Sequence, residues 1–138
     1  MSWLLDTNTL SEYRRSRPDP RVLAWTESVR SESLFLSVLV VGELWRGVEQ
    51  LRRRDPAQAD GLQSWVAAAL RSYGDRLLPV TEEVAVEWAR MSVPDPLPAI
   101  DGLLAATARV HGLTVVTRNV KDFERAGVPV LNPFTFEG

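Results

Sequence analysis

Four carboxylates stand at positions from which they could act together. Asp6 directly follows the apolar run at residues 3–5, and Asp122 lies just beyond the apolar run at residues 113–117. Glu43 and Asp101 fall in the first half of segments with helical patterns. In a right-handed parallel sheet, the carboxyl ends of strands and the helices that follow them share one edge. We therefore expect these four side chains to meet at one rim of a sheet.

Carboxylates gathered in this way favour a hard divalent cation. Like charges repel and raise one another's pKa, and a bound cation removes that repulsion. Ligation by oxygen alone, without His or Cys, is typical of Mg²⁺ or Mn²⁺. Such ions activate water and stabilise the leaving oxygen in phosphoryl transfer. The chain has no phosphate-binding glycine loop, no dinucleotide fingerprint and no evident Ser–His–acid set, so metal-assisted hydrolysis is the leading interpretation.

Each carboxylate also has a purely structural interpretation. Asp6 could cap the first helix, because Asp is common at helix starts. Glu43 could be a solvated helix residue, and Asp101 could stabilise the positive end of its helix dipole. A chain with 18 acidic residues offers many such sets of four. Spacing alone therefore leaves both interpretations open.

The elements that must position these residues alternate along the chain. Short apolar runs bounded by turn signals predict buried parallel strands, and the segments between them carry helical periodicity and helix-start signals. The predicted strands are residues 3–5, 34–36, 77–80, 113–117 and 128–131. The predicted helices are residues 9–15, 20–31, 38–54, 56–73, 82–91 and 99–111.

The helix that carries Glu43 has its own predicted face. Ser37 is a plausible N-cap for it. The apolar residues at helical spacing predict a core-facing stripe. Glu43 lies off this stripe, on a side shared with Val40, Arg46 and Gly47. The residues of the predicted stripe are Val41, Leu44, Trp45, Val48 and Leu51.

Composition limits the class of protein. The chain has 138 residues, which suits a single domain, and its net charge of −2 gives no global basic field. Fifteen of its 16 basic residues are Arg, whose planar fork matches phosphate and carboxylate groups. The absence of Cys excludes disulfides and thiolate sites. The early apolar run is interrupted by Asp6 and no run is long enough to span a bilayer, so we expect a cytoplasmic protein without a membrane anchor.

Four sequence blocks together resemble the PIN domain, and more closely the VapC toxins of bacterial toxin–antitoxin pairs. The end of the chain, VLNPF at residues 130–134, is also similar to the ends of that group. The resemblance covers nearly the whole chain, and the order of the blocks makes it specific. The blocks are LLDTN at 4–8, GELWRG at 42–47, IDGLLAATA at 100–108 and VTRNVKDF at 116–123.

The resemblance implies a three-layer α/β/α sandwich with a central parallel sheet, formed by one domain over residues 1–138. It implies a ribonuclease that uses Mg²⁺, with Mn²⁺ as an alternative, to cleave RNA. The acidic site of the family maps onto Asp6, Glu43, Asp101 and Asp122. Many relatives carry Thr where this chain has Val40, which removes one hydroxyl near Glu43. The supporting polar residues of the family map onto Thr7, Ser37, Thr117 and Asn119.

The resemblance also implies partners. A VapB-like antitoxin would lay its C-terminal segment in a groove beside the acidic pocket, and the toxin would form a homodimer. Five Trp residues provide a large apolar surface for such contacts. We expect the groove to be lined by the first helices and by the helix that bears Glu43.

Other functions remain as alternatives. A haloacid-dehalogenase-like phosphatase also has Asp at the end of its first strand, but needs a second Asp two residues later, where this chain has Asn8. A receiver domain would need an acidic partner beside Asp6, and none is present. A non-catalytic binding module with the same fold is the remaining alternative, and the complete set of four acids argues against it.

Overall fold

The computed structural model describes residues 1–138, and its centre is a five-stranded, entirely parallel sheet. The spatial order of the strands is β3-β2-β1-β4-β5. The register places Trp3 opposite Leu34 and Leu5 opposite Val116. The strands are β1 (Trp3–Leu5), β2 (Leu34–Ser37), β3 (Leu77–Leu78), β4 (Thr114–Val116) and β5 (Val130–Leu131).

Seven α-helices connect the strands. Two of them, α1 and α7, are only six residues long, and each directly follows a strand at the centre of the sheet. The chain also has three 3₁₀ turns. One precedes β2 (Ser31–Ser33), one precedes β3 (Gly74–Arg76) and one follows β5 (Pro133–Thr135). The helices are α1 (Thr7–Glu12), α2 (Pro20–Ser28), α3 (Val38–Arg52), α4 (Pro56–Arg71), α5 (Glu82–Met91), α6 (Ala99–His111) and α7 (Val120–Arg125).

The helices form two layers, one on each face of the sheet. The chain first moves from β1 outward to β3, then returns to β4 and continues to β5. Because parallel crossovers are right-handed, this reversal places α1–α4 on one face and α5–α7 on the other. Helix contacts agree, since α3 packs on α1 and α4 while α6 packs on α5 and α7. The predicted three-layer α/β/α fold is therefore confirmed.

The strand order reverses between β1 and β4, and this reversal defines where a site can form. In open α/β sheets, ligands bind beyond the carboxyl ends of the strands at such a switch point. Asp6 follows β1 and Thr117 follows β4 at this position. The backbone amide of Asp6 donates to the carbonyl oxygen of Val116 at 3.1 Å, which continues the β1–β4 pairing beyond Leu5.

A single cluster of 19 buried apolar residues holds the layers together. Leu5, Leu36 and Val116 on the inner strands are completely buried, as expected for strands covered on both faces. Helix α6 contributes small buried residues, and Gly102 allows close packing against α5. A Cβ atom at Gly102 would lie only 3.0 Å from Nε1 of Trp88. The small residues of this helix therefore permit tight packing, as predicted.

The predicted core-facing side of α3 is partly wrong. Val40, assigned to the side of Glu43, is completely buried, whereas Val41 is only half-buried. The buried stripe of α3 is Val40, Leu44 and Val48. Helix α3 packs against both β2 and α4, so apolar residues on two sides of it are covered. For this reason, helical periodicity alone predicted the wrong centre for the buried stripe. A hydroxyl at position 40 would be enclosed in the core.

Several boundaries also differ from the predictions. Helix α1 begins at Thr7 instead of residue 9, because Asp6 caps it, and it ends at Glu12. Strand β5 covers only the last two residues of the predicted run. No helix of the structure combines the length and apolar character needed to cross a membrane.

Candidate active site

Asp6 is held rigidly at the centre of the sheet edge. Its Oδ1 accepts a hydrogen bond from the amide of Thr9 at 2.8 Å, which is the N-cap interaction of α1. Its Oδ2 accepts a hydrogen bond from Oγ1 of Thr117 at 2.5 Å. The side chains of Thr9 and Thr117 are completely buried, so Asp6 has little freedom to rotate. Asp6 therefore caps α1 and also lies at the predicted acidic site.

Glu43 reaches the same edge from α3. This helix starts directly after β2, because Ser37 accepts a hydrogen bond from the amide of Leu39 at 3.0 Å and so caps it. Glu43 then lies near the start of α3 and is half-buried. Its Oε1 accepts a hydrogen bond from Oγ1 of Thr7 at 2.5 Å. Thr7, the first residue of α1, therefore holds the carboxylate group of Glu43, which lies on α3.

Asp101 approaches from the opposite helical layer. It lies in the first turn of α6, which begins after the proline-rich loop. The neighbouring residue Gly102 lets α6 pack closely on Trp88 of α5, and this contact sets the position of the first turn. Asp101 is half-buried and its carboxyl group makes no hydrogen bond within the chain, in contrast to Asp6 and Glu43.

Asp122 comes from the first turn of α7, just after β4. Its Oδ2 accepts a hydrogen bond from Nδ2 of Asn119 at 3.0 Å. The amide of Asn119 in turn donates to Oγ1 of Thr117 at 3.0 Å. The turn between β4 and α7 therefore links Asp122 to Asp6 through two polar side chains.

The four carboxylates lie near enough for their charges to affect one another. Burial is the largest cause that raises the pKa of Asp101, and the charges of Asp122, Glu43 and Asp6 raise this pKa further, in that order. None of the four carboxylates takes part in an ion pair, since all five salt bridges of the chain involve other acids. Negative charge is therefore concentrated here without a cation supplied by the protein.

The sequence predicts that these four carboxylates hold a divalent cation. In this structure no three of the His, Cys, Asp or Glu side chains stand close enough to form a metal-binding cluster. The pKa of Asp101 still responds to its neighbours, because Coulomb interactions act beyond ligand distances. The donor types themselves fit a hard cation, since they are carboxylate oxygens that form no ion pair with a basic side chain.

Three of the four predicted supporting residues contact the acids. Thr7 bonds to Glu43, Thr117 bonds to Asp6, and Asn119 bonds to both Thr117 and Asp122. Ser37 is completely buried and caps α3, so it positions Glu43 only through the start of the helix.

Thr9 was not among the residues predicted from the sequence. Its amide holds Asp6, and its Oγ1 donates to the carbonyl oxygen of Val116 at 3.2 Å, which connects α1 to β4. The signal was present, because an Asp N-cap accepts from the amide two or three positions further on. The predicted start of α1 at residue 9 concealed this relationship.

A groove opens beside Glu43 on the face covered by α1, α3 and α4. It has a volume of about 210 Å³, with Trp65 and Leu62 of α4 forming much of its apolar wall. The expected groove along the first helices and the Glu43 helix is therefore present, and α4 also contributes to it. Its lining residues are Thr7, Ser11, Arg14, Glu43, Leu44, Gly47, Leu62, Trp65 and Val66.

Comparisons with known proteins give consistent results. Toxin FitB from Neisseria gonorrhoeae is 37% identical over 138 residues, an alignment that covers 95% of this chain and 97% of that protein. A VapC ribonuclease from Sinorhizobium fredii is 34% identical over 139 residues, which covers 95% of this chain and 96% of that protein.

A solved structure agrees in three dimensions. The crystal structure of FitAcB from Neisseria gonorrhoeae contains a chain that superposes with a TM-score of 0.89 at 36% identity, covering 97% of this chain and 99% of that one. The model of the PIN domain family matches residues 3–129, which include every carboxylate of the site. The chain therefore belongs to the PIN domain family.

Proposed function

We propose that this protein is a metal-dependent ribonuclease and the toxin of a toxin–antitoxin pair. The observation that carries the proposal is the placement of Asp6, Glu43 and Asp122 beside one another, each held by a side-chain hydrogen bond and none paired with a basic residue. Burial and then the charges of Asp122, Glu43 and Asp6 raise the pKa of Asp101, which supports the same interpretation. The similarity to a VapC ribonuclease and to a toxin supports RNA as the substrate. The set of residues that would bind Mg²⁺ or Mn²⁺ is Asp6, Glu43, Asp101 and Asp122.

The four carboxylates would play different parts. Asp6, Glu43 and Asp122 each accept a hydrogen bond from a neighbouring side chain, so their orientations are set before any ligand arrives. A divalent cation bound by these oxygens would supply the Lewis acid that activates water and neutralises charge on the phosphodiester. The protein's contribution is a rigid, water-accessible cradle of oxygens at the switch point of the sheet.

Hydrolysis then needs a group that accepts a proton. The oxygen of the attacking water forms a bond to phosphorus, and the bond from phosphorus to one ribose oxygen breaks. The leaving ribose oxygen takes a proton from solvent, and the proton of the attacking water must be taken up. We assign this proton to Asp101, whose carboxyl group makes no hydrogen bond within the chain and so keeps one oxygen free for the water when the other binds the cation. Its freedom from hydrogen bonds within the chain leaves it able to turn towards the water.

The groove beside Glu43 is the proposed site of a VapB-like antitoxin. Its apolar wall at Leu62 and Trp65 would take an aromatic or aliphatic anchor. Glu43 lies at the acidic side of the same groove, so a basic side chain of the antitoxin would be directed at the carboxylates and would compete with the cation.

We extend the proposal to the whole chain. A single domain over residues 1–138 is supported by the one buried cluster, which includes residues from Leu4 to Val128. The homodimer and the cytoplasmic location stay predictions from the resemblance. A phosphatase stays less favoured, because Asn8 occupies the position of the second Asp and is exposed to solvent.

The first prediction concerns cleavage. Purified protein, free of antitoxin, should cleave total cellular RNA when Mg²⁺ or Mn²⁺ is added and should stop when EDTA is added. We expect Asp101→Asn to reduce the initial rate at least about a hundredfold, because it removes the proton acceptor. Asp75→Asn, the same chemical change at an exposed residue that precedes β3, should cleave like wild type. Cleavage that is insensitive to both EDTA and Asp101→Asn would contradict the proposal.

The second prediction concerns the hydroxyl that holds Asp6. Thr117→Val should weaken Mn²⁺ binding in calorimetry by about 10- to 100-fold, the usual cost of removing a group that orients a ligand. Thr107→Val is a matched control, because Thr107 is also completely buried but donates only to the carbonyl oxygen of Leu103 in its own helix. Equal Mn²⁺ affinity in the two variants would show that the Thr117 contact does not support a metal site.

The third prediction concerns stability without metal. The pKa of Asp101 is raised in the folded state, so its ionised form destabilises that state, and this effect grows as pH rises above the ordinary value of 3.8. In EDTA at pH 7, Asp101→Asn should therefore melt at least as high as wild type. The difference should shrink as pH falls and vanish below 3.8, where the carboxyl group is protonated in both states. A markedly lower melting temperature at pH 7 would instead indicate a structural role for this carboxylate.

The fourth prediction concerns toxicity. Expression in a host without the antitoxin should arrest growth, and Asp6→Asn should relieve the arrest, because this change removes the central carboxylate of the cradle. Soluble protein levels must be matched between the two cultures. Equal growth of wild type and variant would favour the non-catalytic binding module.

A further inference from the structure

A second depression lies on the other side of α1 from the antitoxin groove. It has a volume of about 300 Å³ and joins the exposed side of α1 to the turn after β4 and to the 3₁₀ turn near the chain end. Ser11 lines both the groove and this depression, so only the width of α1 separates them. The lining residues are Asn8, Ser11, Glu12, Arg15, Arg118 and Phe134.

Arg118 is the central residue of the depression. Its guanidinium carbon lies 3.7 Å from the centre of the Phe134 ring, a stacked cation–π arrangement. Arg118 is exposed, and its side chain makes neither a hydrogen bond nor an ion pair within the chain. All of its N–H donors are therefore available, in a plane fixed by the ring beneath.

The sequence neighbours of Arg118 connect it to the acidic site. Thr117 bonds to Asp6, and Asn119 bonds to Asp122. Arg118 lies between them and contacts Phe134. The turn after β4 therefore carries a cationic side chain, Arg118, between the residue that holds Asp6 and the residue that holds Asp122.

Phe134 is held firmly enough to act as a platform. Its amide donates to Oδ1 of Asn132 at 2.9 Å, and Oγ1 of Thr135 donates to the carbonyl oxygen of Asn132 at 3.1 Å. Pro133 is buried, and the 3₁₀ turn that contains it packs against α2. The position of the aromatic ring is thus determined before any ligand binds.

A second cation lies across the depression. Arg15 is exposed, with 67% of its side chain accessible, and its Nη1 is 3.5 Å from Oε1 of Glu12. Two arginines in this depression would offset the repulsion that a polyanion meets in a chain with a net charge of −2. Arginine matches phosphate with two parallel N–H donors, and a stacked guanidinium plane also accepts an unpaired base.

We propose that this depression is a subsite for single-stranded RNA, in which Arg118 and Arg15 bind a phosphate next to the one that is cleaved. The inference rests on the proposed ribonuclease function and adds the residues that guide the strand to the carboxylates. Phe134 fixes the plane of Arg118 and does not itself take part in the reaction.

Binding can be measured separately from cleavage. A fluorescently labelled single-stranded RNA oligonucleotide is titrated with protein in EDTA, and anisotropy is recorded at several salt concentrations. Arg118→Gln should weaken binding about tenfold, since it removes charged hydrogen bonds. It should also lower the slope of log affinity against log salt by about 0.7, the value for one phosphate contact on a single strand. Arg118→Lys should keep the slope but lose affinity, because Lys lacks the planar fork.

Arg30→Gln is the matched control, since Arg30 is equally cationic and exposed but lies before β2, at the amino end of the sheet. It should bind RNA like wild type. Melting temperatures of all variants must agree with wild type for the comparison to count. Equal affinity and equal salt slope for Arg118→Gln and Arg30→Gln would overturn the proposal.

Cleavage kinetics supply the second measurement. With Mg²⁺ or Mn²⁺, Arg118→Gln should raise KM about tenfold and leave kcat within about twofold, because the contact is made equally in the ground and transition states. A loss of kcat with unchanged RNA affinity would instead show that Arg118 only positions its neighbours, and would overturn the subsite. Weaker antitoxin binding with unchanged RNA binding would also overturn it. No cleavage by wild type would refute the ribonuclease function itself, whereas the anisotropy result would still decide whether RNA binds here.

Discussion

The site depends on the pairing of β1 with β4 in register. Leu5 stands opposite Val116, so the next residues along the two strands, Asp6 and Thr117, meet at the sheet edge and form a buried hydrogen bond. This contact joins the first and the fourth strand, which are 111 positions apart in the chain. Because the strand order reverses at the same place, helices from both layers direct their first turns towards it. Glu43, Asp101 and Asp122 reach the edge as a consequence of that geometry.

The same arrangement gathers negative charge, which lowers the stability of the fold but suits the proposed chemistry. Three of the carboxylates are held by neighbouring hydroxyl or amide groups, yet none has a cationic partner within the chain. The effect appears at Asp101, because burial and then the charges of Asp122, Glu43 and Asp6 raise the pKa of its carboxyl group. A structural role would favour pairing such groups with Arg, and this chain has 15 Arg residues available. The absence of such pairs is consistent with the proposed cation site.

The sequence was sufficient for the elements and for the common edge, but not for the contacts made there. Asp6 at the end of an apolar run and Asp101 in a first turn could be placed by pattern, because strand ends and helix starts have local signals. Val40 could not be assigned to the core, since burial of α3 depends on how α4 packs. The stack of Arg118 on Phe134 joins two distant segments, and no local periodicity encodes it.

The 3₁₀ turn at Pro133–Thr135 has a consequence for how this protein can diversify. It carries the aromatic platform of the depression but none of the carboxylates, and it lies near the end of the chain. Changes in this turn would therefore alter how firmly Arg118 is held, while the hydrogen bonds that hold Asp6, Glu43 and Asp122 would stay intact. The aromatic ring under Arg118 and the four carboxylates therefore lie in separate segments of the chain, so substitutions at one leave the side-chain contacts of the other unchanged.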